Sequence, residues 1–198
     1  MPTPAHPSEH YDDALAAARA VLSRVDTTDL SCPTPCRGWD LRTLIEHMIG
    51  QNEGFATALA EGDADVTAYA PRPLGDQNDL MLGWDESVGH LLRAVGAADP
   101  GRPVRLVEIA PDATFLAAAA VGMHLLDTVI HTWDLATAIG ESYRPDQDLL
   151  DLVVAGSLRV PDGEARTGPD AAFASSIPAS TTDPWTTALA RLGRGSTG

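Results

Sequence analysis

The stretch HLLDTVIHTWDLATAIG, His124 to Gly140, lies in the most apolar part of the chain, yet it carries two histidines and two aspartates. Apolar residues cover so much of its circumference that it reads as a helix for the interior of a bundle, where other helices can cover it. Gly140 supplies a stop, because glycine tolerates the left-handed conformation in which helices end. Asp112 is the expected opening residue, so one long helix is predicted from there to Gly140. The longest uninterrupted apolar run, Phe115 to Met123, falls well short of the roughly 20 residues that span a bilayer.

Three further segments repeat apolar residues at helical spacing. Ser8 is positioned to cap a helix to about Val25, with Tyr11, Leu15, Ala18, Leu22 and Val25 on one seam and Asp12, Asp13 and Arg19 exposed. After the turn-rich loop DTTDLSCPTPCRGW, Asp40 is an N-cap, and Trp39 and Leu44 are placed to form a hydrophobic staple. Leu41, Leu44, Ile45, Met48, Phe55 and Leu59 mark the buried stripe of that helix, His47 falls at its edge, and Gly62 ends it. A third helix is predicted from about Gln77 to Ala98, and RPVRLVEIAPD is either an extended linker or a short hairpin. A shorter helix fits Asp146 to Leu158. Asp183 then caps a last one through Leu192 after an irregular stretch. The expected architecture is an all-α, up-and-down four-helix bundle in one domain over residues 1–198, with the core at about 8–160 and a peripheral C-terminal extension at about 161–198.

Charge narrows the function. The formal net charge is -15 and there is no lysine, so all 13 basic residues are arginines. Such a chain repels phosphate backbones and anionic lipid, and neither nucleic acid nor membrane is an expected partner. The start, MPTPAHPSEH, lacks a basic segment followed by an apolar run, and a cytoplasmic location is the expectation. Cys32 and Cys36 in CPTPC read as two reduced cysteines in a proline-stiffened loop, with a local disulfide as the lesser alternative. Serine-nucleophile, P-loop, dinucleotide and calcium-loop motifs do not occur.

The polar groups of the long helix are spaced for joint action. Asp127 and His131 are one turn apart and about 40° apart in azimuth, so both can reach one ion. His124 lies two turns before His131 on nearly the same face, and Asp134 drifts to the edge. Two readings stand at this level: Asp127 and His131 satisfy one another in the core, or they join His47 of a facing helix in a two-imidazole, one-carboxylate set suited to Zn²⁺ or a similar divalent ion. Asn52 lies about 140° round the helix from His47 and is not a ligand candidate. His6, His10 and His90 show no partner pattern.

TPCRGWDLRTLIEHMIGQN and DTVIHTWDLATAIG together resemble the paired signatures of the DinB/YfiT-like superfamily, in the actinobacterial branch related to mycothiol-dependent maleylpyruvate isomerase. The matching positions are Thr34, Pro35, Cys36, Trp39, Leu44, His47, Gly50 and Asn52 in the first stretch. In the second they are the carboxylate at Asp127, then His131, Trp133, Asp134, Leu135 and Gly140. The tail DPWTTALARLGR resembles the close of that branch. The resemblance implies a bundle that holds a divalent metal, usually zinc, on His47, Asp127 and His131. It departs at Asp127, where the characterised isomerase has Glu, and that enzyme also carries an additional C-terminal domain.

The resulting expectation is a metal-dependent transferase or isomerase in which a low-molecular-weight thiol, mycothiol by resemblance, attacks a small electrophile, with His124 as catalytic acid/base. A metal-dependent hydrolase or natural-product tailoring enzyme that uses the ion as Lewis acid or water activator is the alternative within enzymes. A metal- or small-molecule-binding module without turnover is the alternative outside them. Expected partners are a small-molecule substrate and, as an open expectation, a second copy of the chain in a homodimer.

Overall fold

The computed structural model of the protein describes residues 10–75, 77–168 and 171–195. Asp40 accepts the backbone N–H of Thr43 at 2.8 Å and starts helix α2 (Leu41–Glu61), which ends at Gly62 with φ of 89°. Asp146 caps α5 (Gln147–Ser157) through the N–H of Leu149, and Asp183 caps α6 (Pro184–Arg191) through that of Thr186. These caps satisfy amide groups that would otherwise lack partners at a helix start. The remaining helices are α1 (Tyr11–Leu22), α3 (Gln77–Ala97) and α4 (Ala117–Ala138), and helices carry the fold as expected.

Two predicted boundaries move. Helix α1 stops at Leu22 rather than Val25, because tighter bonds from Arg24 N–H to the Val21 carbonyl and from Val25 N–H to the Leu22 carbonyl turn the chain; Val25 stays buried beyond the helix. His10 occupies the N-cap position of α1 without a side-chain capping bond, and Ser8, the expected cap, lies outside the described residues. Asp112 does not open α4. Residues 103–116 form the hairpin, with β1 (Pro103–Arg105) antiparallel to β2 (Thr114–Leu116), and Asp112 sits in its connection. The hairpin replaces the cap: Ala117 N–H donates to the Arg102 carbonyl and Ala118 N–H to that of Pro100.

Helix α2 packs against α3 and α4, and α1 packs against α4 and α3, so α1 and α2 lie diagonally across the bundle. The buried side chains form one apolar cluster drawn from α1 to α6. Tyr69, in the connection between α2 and α3, lies so close to α2 that a Cβ on Gly54 would fall 2.1 Å from its ring. Helix α5 packs on α4 and α6 on α5. The C-terminal segment is fastened by buried Arg166, whose guanidinium donates to the carbonyls of Val160, Pro161, Ala174 and Arg191. Among the described residues no helix is long and apolar enough to cross a membrane.

Candidate metal centre

The contact between α2 and α4 brings His47, Asp127 and His131 together. Each offers one ligand atom, and these atoms all lie within 4.8 Å of one another. Nε2 of His131 is 3.3 Å from Oδ1 of Asp127, and the rings of His47 and His131 meet edge to face at 5.4 Å. Trp39, just before α2, lies 4.7 Å from the His47 ring and stacks at 6.3 Å on that of His131. His131 is buried, His47 is half-buried and the Asp127 side chain is 22% exposed. The cluster therefore has a closed back and a side reached by solvent.

Electrostatics ties the three together. Burial alone would lower His131, but the charge and hydrogen bond of Asp127, together with Asp134, hold it well above the usual imidazole range. Burial would raise Asp127, yet its attraction to His131, His47 and His124 keeps it well below the usual carboxylate range. Burial and then the charge on His131 depress His47 to about 4, so it is neutral with a lone pair to give. One neutral imidazole, one carboxylate and a second imidazole within a few ångströms form a donor set that fits Zn²⁺ and leaves positions open for a ligand.

In a second set, Cys36, His131 and Asp134, the potential ligand atoms also lie within 4.8 Å of one another. Its space is already served by a cation. Arg194 Nη2 donates to Asp134 Oδ2 at 2.9 Å and to Cys36 Sγ at 3.2 Å. A metal ion there would meet the guanidinium at close range with little water to screen it. Asp134 also lies 2.9 Å from Nδ1 of His131, the carboxylate–histidine arrangement that fixes the orientation of metal-ligating imidazoles.

His124 lies deeper on the same helix and is 1% exposed. Its Nδ1 is 2.6 Å from Tyr11 Oη and 3.2 Å from Thr128 Oγ1, and the Phe55 ring packs on it at 4.7 Å. Burial depresses it to about 4, against the pull of Asp127. Asn52 turns away to donate to Ser87 Oγ. His90 pairs with Glu53 at 2.8 Å on the exposed α2–α3 surface, His10 lies 3.9 Å from Asp13, and His6 falls outside the described residues. Cys32 and Cys36 are free thiols, which excludes the local disulfide.

Residues 11–136 match the model of the mycothiol maleylpyruvate isomerase N-terminal domain. The chain belongs to this family. The family-matched stretch contains Tyr11, Cys36, Trp39, His47, His124, Asp127, His131 and Asp134, and it ends before Arg194. Two uncharacterized proteins of Mycobacterium tuberculosis, from strains CDC 1551 / Oshkosh and ATCC 25618 / H37Rv, are each 29% identical over 174 residues, covering 85% of this chain and 86% of theirs. Among solved structures, the mycothiol-dependent maleylpyruvate isomerase and a histidine-to-alanine mutant of it superpose with a TM-score of 0.58 at 15% identity, over 76% of this chain and 68% of theirs. That likeness is one of fold. Within the family domain, sequence reasoning passed over Tyr11 as a seam residue and Trp39 as a staple. Arg194 closes the tail stretch DPWTTALARLGR that resembles the family branch, but nothing in that stretch pointed to the metal centre.

Proposed function

We propose that this family member is a metal- and thiol-dependent enzyme of the isomerase or transferase type, acting on a small electrophilic molecule with mycothiol as the thiol. The observation that carries the reading is the clustering of His47, Asp127 and His131 within 4.8 Å, on the stretch that matches the mycothiol maleylpyruvate isomerase domain. When bound, a divalent ion supplies Lewis acidity that lets a thiol lose its proton near neutral pH.

In this reading His47, Asp127 and His131 hold the ion, and Trp39 shields the two imidazoles from water on one side. The thiolate sulfur adds to a carbon–carbon double bond conjugated to a carbonyl, and the π pair moves onto the carbonyl oxygen. Rotation about the new single bond and expulsion of the same thiolate complete an isomerisation with no oxidant or reductant. His124 is the proton-handling residue. In this reading a hydroxyl beside Nδ1, that of Tyr11 or Thr128, donates to it, and the ring proton on Nε2 is offered to an oxygen gaining charge.

Titrating the cobalt-substituted protein with mycothiol tests the thiol step, with glutathione and cysteine as controls. A sulfur-to-cobalt charge-transfer band, followed by turnover of electrophiles such as maleylpyruvate, is the expected result. Absence of the band with every thiol would overturn the thiol reading and favour water activation.

A further inference from the structure

We propose that Arg194 is a positioning residue for the candidate metal centre, acting on His131 through Asp134. The inference rests on the metal reading of His47, Asp127 and His131, and it extends the site to the C-terminal segment, beyond the family-matched residues. Arg194 meets Asp134 side-on, with Nε 3.3 Å from Oδ1 and Nη2 2.9 Å from Oδ2. The same Oδ2 is 2.9 Å from Nδ1 of His131. Asp134 has no exposed surface and Arg194 is 5% exposed, so neither charge has water as a substitute partner.

The side-on contact engages both oxygens and stops the carboxylate from turning about its axis. With Oδ2 fixed, Nδ1–H of His131 has its nearest and charged acceptor in a set direction, Cys36 Sγ lying farther off at 3.8 Å, and Nε2 is left toward Asp127, 3.3 Å away. The guanidinium is itself held: Nη1 donates to the Leu192 carbonyl at 2.9 Å, Nη2 donates to Cys36 Sγ, and the Phe173 ring lies 5.4 Å below Cζ. A lysine could supply the charge but not the two-point contact. The C-terminal segment thus sets the aim of an imidazole that lies 63 positions earlier (194 − 131).

The test uses the full chain and measures Zn²⁺ affinity by competition with a chromophoric chelator, and the d–d spectrum after cobalt loading. Arg194→Met is expected to weaken Zn²⁺ binding about ten- to hundredfold, as loss of a supporting hydrogen-bond partner does, and to change the cobalt spectrum. Arg194→Lys should recover only part of that loss. It also serves if the Met variant fails to fold. Arg191→Ala removes another tail contact, the bond from Arg191 Nε to the Ser157 carbonyl, and should leave both readouts unchanged. Wild-type affinity and spectrum in both Arg194 variants would overturn the positioning role, as would equal losses in the Arg191 control. Failure of the wild-type chain to bind either ion would instead overturn the metal reading, and this inference with it.

Discussion

The phenol of Tyr11 and the imidazole of His124, 113 residues apart in sequence, meet at 2.6 Å inside the bundle and join α1 to α4. With the ring proton of His124 on Nε2, as the proposed role requires, the Tyr11 hydroxyl is the donor to Nδ1. Tyr11→Phe keeps the ring and removes the donor. It should cost about 1–2 kcal/mol, the scale for losing a buried hydrogen bond, read from the urea midpoint. An unchanged midpoint would show that Thr128 alone satisfies His124.

The same burial makes His124 a source of acid sensitivity. Folded, it takes a proton only at about 4, whereas in the unfolded chain it does so near the ordinary 6.5. Between those values the unfolded state binds more protons, so stability is full above about pH 6.5 and falls as pH drops toward 4. The shift corresponds to on the order of 3 kcal/mol. His47 acts in the same direction and His131 in the opposite one. Denaturant melts of metal-free protein from pH 7 to 4 should show a shallower decline for His124→Gln than for wild type; parallel curves would contradict the assignment.

Metal retention separates the ligands from the deeper histidine. Elemental analysis of the wild-type protein should find close to one divalent ion per chain, most often zinc. His131→Ala should lower affinity by more than the roughly hundredfold upper range for losing an outer hydrogen-bond partner. His124→Gln should keep the ion and lose turnover. Equal metal loss in both variants, with helical content intact, would make His124 a ligand.

The packing of Tyr69 against α2 can be probed with two glycines. A Cβ at Gly54 would lie 2.1 Å and 2.3 Å from Cδ1 and Cγ of Tyr69, so Gly54→Ala forces the ring out of place. The expected cost is about 3 kcal/mol, the upper end for overpacking. Gly89 in α3 has only Arg93 Nη1 nearby, at 3.5 Å. Gly89→Ala should stabilise by up to ~1 kcal/mol through helix propensity. Thermal melts that moved both variants in the same direction would contradict the close approach of Tyr69.

The sequence alone determined what neighbouring residues decide among themselves. Asp40, Asp146 and Asp183 cap helices because each carboxylate reaches an amide three residues on, and Gly62 and Gly140 end helices with φ of 89° and 73°. The Asp127–His131 pair was readable for the same reason, since one helical turn brings i and i+4 together in any environment. The place of His47 on a second helix was readable from apolar periodicity, but that it joins this pair stayed one of two readings until the family resemblance was added. Tertiary structure decided the rest. Asp112 lost its capping role because Arg102 and Pro100 supplied carbonyls to the start of α4. Trp39 covers two imidazoles, Tyr11 holds His124 and Arg194 holds Asp134 only once the bundle and tail have packed. Apart from Trp39 and His47, these partners stand tens of residues apart, and the chain pattern around each one fixes its burial but not which distant group it meets, because that choice depends on how whole helices pack against one another.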